Sequence, residues 1–264
     1  MSTPLALRIM GVGAWAPGAP DWQSLQVVLR GEAAAMDDAP ARPAGTILPA
    51  AERRRAPDGV RLAADVAAQA TGMAGIDPAT VPCVFASTHG ELAITDYVCE
   101  TLARSPLELS PTKFHNSVLN APAGYWTIAT GCTDASSAVT AHHRSFAAGL
   151  LEAAVFACAE GTPVLFASCD VASIGPLAEM TRTTLAFGMA LLLQPGATKG
   201  ARLRLALRAD PASKVSTLAL PAVAGDNPAN AEALAVLSAL ALVRPAHLRL
   251  PLSSGSSLDT EIMP

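Results

Sequence analysis

The chain has 264 residues, of which 51% are hydrophobic and only 15% charged, with a net charge of −4 at pH 7. This composition furnishes a sizeable core for one large or two small domains, and its acidic balance offers no basic field for a nucleic-acid backbone. The five cysteines, Cys83, Cys99, Cys132, Cys158 and Cys169, form no Cys-x-x-Cys pair; their odd number and spacing argue against a secreted disulfide framework or a metal centre and fit a reducing cytoplasm.

In chain order, Leu5 to Val12 predicts a short strand, and the glycines and prolines from Gly11 to Pro20 predict a loop before a helix over Trp22 to Leu29. The Gly11-x-Gly13 pair lacks the third glycine of a dinucleotide fingerprint and reads as a tight turn. Residues 32 to 57 are rich in alanine, proline and charge and read as an exposed loop; its Arg53-Arg-Arg55 run suits a solvated face or an acidic carrier protein. A helix is expected over Val60 to Met73. A β-type run from Val81 to Ala86 follows, ending in the polar Ser87-Thr-His-Gly90, and a second helix is expected over Glu91 to Ala103.

Tyr125 to Ala129 reads as strand, residues 133 to 148 as helix, and Val164 to Cys169 as buried strand. Arg202 to Arg208 alternates polar with apolar, and Ser216 to Leu220 is strand-like. Asn227-Pro228 supplies an N-cap and a first-turn proline for a helix to about Val243. His247 to Leu252 is a last strand, and Ser253 starts a flexible tail. Strands alternating with helices mean an α/β fold with parallel pairs. The longest apolar runs, Leu185 to Leu193 and Ala233 to Val243, fall far below the ~20 residues of a membrane span. Arg8 inside the first apolar stretch is not how a secretory leader is built.

Several separated motifs resemble the N-terminal half of the β-ketoacyl synthase family. They are the opening Gly-Val-Gly with a helix ending in Arg-Gly, the Ser-Pro-x-x-Phe…Asn-x-x-Ala-Gly pattern from Ser110 to Gly124, and Thr130-Gly-Cys132, seventeen residues before Gly149. The blocks from Asn120 to Gly131 and Phe146 to Ala153 are similar to the short chain-length factors of aryl polyene-type pathways. The resemblance implies a thiolase-like fold with a ketosynthase-like half over residues 1–195, a shortened second half over 196–252 and a tail over 253–264. It implies no cofactor and no metal. It further implies a heterodimer with a full-length ketosynthase, access to an acyl carrier protein through that complex, and an acyl tunnel or interface lined by Phe114, His115, Asn116, Val118, Asn120, Tyr125 and Trp126.

Cys132 is the candidate nucleophile. At a strand-to-helix turn a thiol would meet the positive end of a helix dipole, which favours thiolate. Asp134, two residues on, opposes it and favours an inert residue. Decarboxylative condensation also needs donors for the developing enolate, worth several kcal/mol of barrier, and the histidine-bearing half that supplies them in the family is missing. A stand-alone acyltransferase or thioester hydrolase, with His89 or His115 as base to Cys132, is the alternative; it requires thiol and imidazole within about 3 Å or one water. His142 and His143, read as adjacent residues on a helix, have neither metal spacing nor convergent geometry. His247 matches nothing in the family, and the other four cysteines read as core residues.

Overall fold

A computed structural model describes residues 4–210 and 228–264. Its strands are β1 (Leu5–Trp15), β2 (Cys83–Ala86), β3 (Ser136–Val139), β4 (Val164–Asp170), β5 (Phe187–Pro195), β6 (Ala201–Arg208), β7 (Ala246–Pro251) and β8 (Ser257–Met263). The helices are α1 (Trp22–Leu29), α2 (Ala50–Arg55), α3 (Asp58–Ala74), α4 (Leu92–Arg104), α5 (Pro111–His115), α6 (Ala121–Thr130), α7 (Ser145–Glu160), α8 (Ala178–Thr181) and α9 (Pro228–Ala241). All eight strands share one sheet in the order β3-β2-β4-β5-β1-β6-β8-β7. The β3, β2 and β4 strands are parallel, and every other neighbouring pair is antiparallel.

The period of two in the strands sorts side chains onto two faces. Val84 and Ala86, Val164 and Phe166, and Met189, Leu191 and Leu193 meet one helical layer in a core shared with α7 and α9. Cys83 and Phe85, Leu165 and Ala167, and Ala190 and Leu192 meet α3 and α6 on the other face. These strands are buried on both sides, so they read as continuous apolar runs. Among the described residues no helix is long and apolar enough to cross a membrane.

Several sequence expectations are corrected. The Gly11-Val-Gly13 segment is not a turn, because β1 continues through it to Trp15 with a bulge between Ile9 and Gly11. Glycine is required there because α3 lies directly on the strand: a Cβ at Gly11 would stand 2.0 Å from the Ala70 carbonyl oxygen, and one at Gly13 1.9 Å from that of Val66. Tyr125 to Ala129 lies within α6, which Pro122 opens and the left-handed Gly131 closes. The helix expected over 133–148 is instead β3, a turn and the start of α7, since the free edge of β2 recruits Ser136 to Val139 as a strand. The loop expected over 32–57 contains α2. The tail expected after Ser253 is β8, whose Leu258, Thr260 and Ile262 are wholly buried. The strand proposed at Ser216 to Leu220 and the Asn227 cap lie outside the described residues.

Candidate functional site

The parallel strands β2, β3 and β4 all end on one side of the sheet, and their following loops converge there. Asp170, buried at the end of β4, accepts hydrogen bonds from the Ser87 hydroxyl (2.7 Å), the Thr88 N–H (2.8 Å) and the Thr88 hydroxyl (2.7 Å). It thereby ties the loop after β2 to β4. The His89 ring bridges the Gly90 carbonyl at 2.8 Å and the Thr183 hydroxyl at 3.1 Å. From β3, the Thr140 hydroxyl donates to the Thr88 carbonyl at 3.2 Å.

The turn from β3 into α7 holds the strained residue of this corner. His142 has φ +53°, a left-handed conformation that non-glycine residues seldom adopt. The turn is held by the Ser145 hydroxyl, which accepts from the Ala141 N–H at 2.9 Å and donates to the His142 carbonyl at 2.7 Å. The His142 and His143 rings stand 3.8 Å apart. Burial, and then neighbouring His142, pull the His143 imidazole below its ordinary value although Asp170 pushes it up. Sequence reasoning placed both histidines on a helix and so passed over this turn. The signal available was Ser-Ser-Ala-Val-Thr before them, a small and β-branched run suited to a strand.

The strand-to-helix turn expected at Cys132 is therefore this one, and Cys132 is not on it. Cys132 follows the αL residue Gly131 at the end of α6, beside the carbonyl end of a helix and ahead of a strand. It is buried, with Sγ 3.5 Å from the Val81 carbonyl. Its neighbour Cys83 has its thiol pushed up to about 12 by burial and by Cys132. Val81 precedes β2 whereas His89 follows it, so the two lie beyond opposite ends of a four-residue strand about 13 Å long. His115 packs its ring toward Tyr125, with centroids 6.4 Å apart. The structure brings neither histidine to Cys132. Nor does Gly149 close the buried helix: α7 runs on to Gly161, and Gly149 marks where α7 touches the sheet, a Cβ there standing 2.7 Å from Phe166.

The remaining candidates divide between surface and interior. Phe114 is 58% exposed and Val118 50% exposed, and Ile128 on α6 adds a further exposed side chain. Asn116 is buried; its amide donates to the Arg55 carbonyl at 2.9 Å while its oxygen accepts from the Tyr125 hydroxyl at 2.9 Å, which locks the α5–α6 turn against α2. Asn120 is the backbone N-cap of α6. Trp126 is wholly buried against α3, its indole Nε1 without a partner among the described residues. Tyr125 and Trp126 thus hold α6 in place and present no surface. Beside Val118, between α3 and the loop after β2, a narrow pocket of about 30 Å³ reaches Phe85, Pro122 and Glu91. Among the described residues no group of three or more metal-ligating side chains is present.

Comparison with known proteins matches this arrangement. The family described as beta-ketoacyl synthase, N-terminal domain, matches residues 22–249. One chain of a ketosynthase (ApeO) in complex with its chain length factor (ApeC) from Xenorhabdus doucetiae is 26% identical, with a TM-score of 0.74, covering 97% of this chain and 99% of that one. A chain of the ishigamide ketosynthase/chain length factor superposes with a TM-score of 0.66 at 15% identity, covering 99% of each. A chain of AntDE:AntF, a type II acyl-carrier protein in complex with its hexaketide-bound ketosynthase, gives 0.75 at 12% identity, also covering 99% of each. No curated protein matches the sequence. The fold is the thiolase-like α/β fold of ketosynthases, and the chain belongs to the β-ketoacyl synthase family.

Proposed function

We propose that this protein is a chain-length-factor-like subunit, which pairs with a catalytic ketosynthase and shapes the pocket that receives a growing polyene, polyketide or fatty-acid-type chain. The observation that carries the reading is the turn at Thr140–Arg144. Among the described residues, the turn from β3 into α7 bears a strained histidine, and Cys132 is buried before the other end of β3. This supports a fold that leaves the acyl-transfer chemistry to a partner.

The partner face follows from the sheet. β3 is an edge strand, hydrogen-bonded only through its β2 side. The Cys83 N–H donates to Ala135 and the Ser87 N–H to Val139, so alternation turns the backbone groups of Ser136 and Ala138 outward. Such an edge is a template for another strand. Ile128 stands exposed on α6, which contacts β3, so pairing along β3 would bring a partner against it; the exposed Phe114 and Val118 precede α6 on the same segment and would then face the partner's substrate. Residues 196–252 are in this reading a shortened second half, and the carrier protein reaches the complex through the ketosynthase. Free cysteines throughout suit the cytoplasm.

The test replaces Phe114 with Ala in the complex with its ketosynthase. The reading expects a shifted product-length distribution with the complex intact; an unchanged distribution counts against it.

A further inference from the structure

We infer that the slot beside Val118 reads the far end of the acyl chain, and that Glu91 selects an end bearing a hydrogen-bond donor, such as a hydroxyl, over a bare methyl. The inference rests on the subunit reading above and adds the chemistry of what the pocket accepts.

The slot is walled by Phe85, Val118, Leu119, Pro122 and Val171, with Glu91 set among them. Its cavity volume of about 30 Å³ is enough for about two water-sized groups. It therefore admits the last atom or two of a chain and not a long stretch. Half-exposed Val118 lines it.

The polar groups around the slot are committed, with one exception. The Ser87 hydroxyl donates to Asp170 and accepts from the Gly90 N–H at 2.9 Å. The Gly59 N–H donates to Glu91 Oε1 at 2.6 Å, so the carboxyl takes the place of a side-chain cap at the start of α3, which has none of its own. Burial holds the nearby Cys169 thiol protonated. Among the described residues no donor reaches the second Glu91 oxygen, Oε2. An acceptor among apolar walls favours a ligand that brings a donor and leaves its own desolvation uncompensated against a methyl. Burial, reinforced by Asp58 and opposed by the Gly59 N–H, raises the Glu91 carboxyl to about 7. Gly59 completes the arrangement: a Cβ there would stand 2.3 Å from Glu91 Oε1, so a side chain at 59 would push the carboxyl off its seat.

The experiment uses the complex with its ketosynthase. It offers an equimolar mixture of two carrier-protein-bound acyl primers of equal length, one ending in a hydroxyl and one in a methyl, and measures the ratio of elongated products. The wild type is expected to favour the hydroxyl end by about tenfold, the scale of one buried hydrogen bond. Glu91→Leu, which removes the acceptor, and Gly59→Ala, which keeps the carboxyl but displaces it, should both bring the ratio to within about twofold of one. Gly59→Ala asks only the end of a flexible side chain to move, so it remains informative if Glu91→Leu fails to fold. A wild-type ratio near one, or a ratio unchanged in folded, ketosynthase-bound variants, overturns the assignment. Failure of the subunit reading would show separately, as a chain that does not associate with a ketosynthase at all.

Discussion

The chemistry of this protein turns on where two side chains stand. Cys132 occupies a position a nucleophile would not use, beneath the Val81 carbonyl and beside a buried thiol. Cys99 on α4 is exposed. In a limited iodoacetamide reaction mapped by peptide mass spectrometry, Cys99 should be alkylated first and Cys132 only on unfolding, and Cys132→Ala should leave the product profile of the complex unchanged. A second residue reports on pH. Glu232 of α9 is 3% exposed, its Oε2 has no partner among the described residues, and burial lifts its carboxyl to about 8, although the Ala147 N–H at the start of α7 and Arg144 pull it down. Its folded value lies above the ordinary carboxylate value. The neutral carboxyl therefore contributes stability that is present below about pH 4.5 and lost as pH rises through about 8, with Glu91 acting in the same direction up to about 7. Urea unfolding of the wild type should show stability falling by roughly 1 kcal/mol per pH unit between pH 6 and 8. Glu232→Gln should flatten much of that slope; an equal slope in the variant would contradict the burial argument.

At the scale of elements, the close contact between α3 and β1 depends on two missing side chains. Gly13→Ala would put a Cβ 1.9 Å from a helix carbonyl; it should cost at least about 1–3 kcal/mol, read as a lowered unfolding midpoint. This contact also shows why the sequence was misleading there. Two glycines in three residues signal a turn locally, and only the helix packed across the strand, some fifty residues later, explains them. The long amphipathic α3, the buried apolar strand β4 and the helix α1 were legible because their patterns are local, whereas the apolar run that forms β5 was not read as a strand. The α6 helix was not legible, since an aromatic and β-branched run favours strand until Pro122 and Gly131 are weighed as its start and stop. The β3 strand was missed because its small, β-branched run is short and was taken as the start of the following helix; its hydrogen bonds to β2 define it. The site suffered most, as it depends on the end of the sheet at which each loop emerges. The same strand offers a test of the interface. Ala138→Pro removes an outward N–H while leaving the bonds to β2 in place, so it should weaken association with the ketosynthase more than tenfold with little loss of the subunit's own stability.

For the whole molecule, a single eight-stranded sheet carries both the corner where β2, β3 and β4 end and an open edge at β3. An exposed edge strand next to the exposed Ile128 of α6 invites aggregation when left uncovered. In the proposed reading a ketosynthase partner covers that edge and carries the condensation chemistry. The most direct measurement is native mass spectrometry of the protein purified from its own cells under gentle conditions. The account predicts a one-to-one complex with a ketosynthase that carries its own cysteine and two histidines, and dissociation of that complex in Ala138→Pro. A stable monomer or homodimer of this chain, active in acyl transfer by itself, would contradict it.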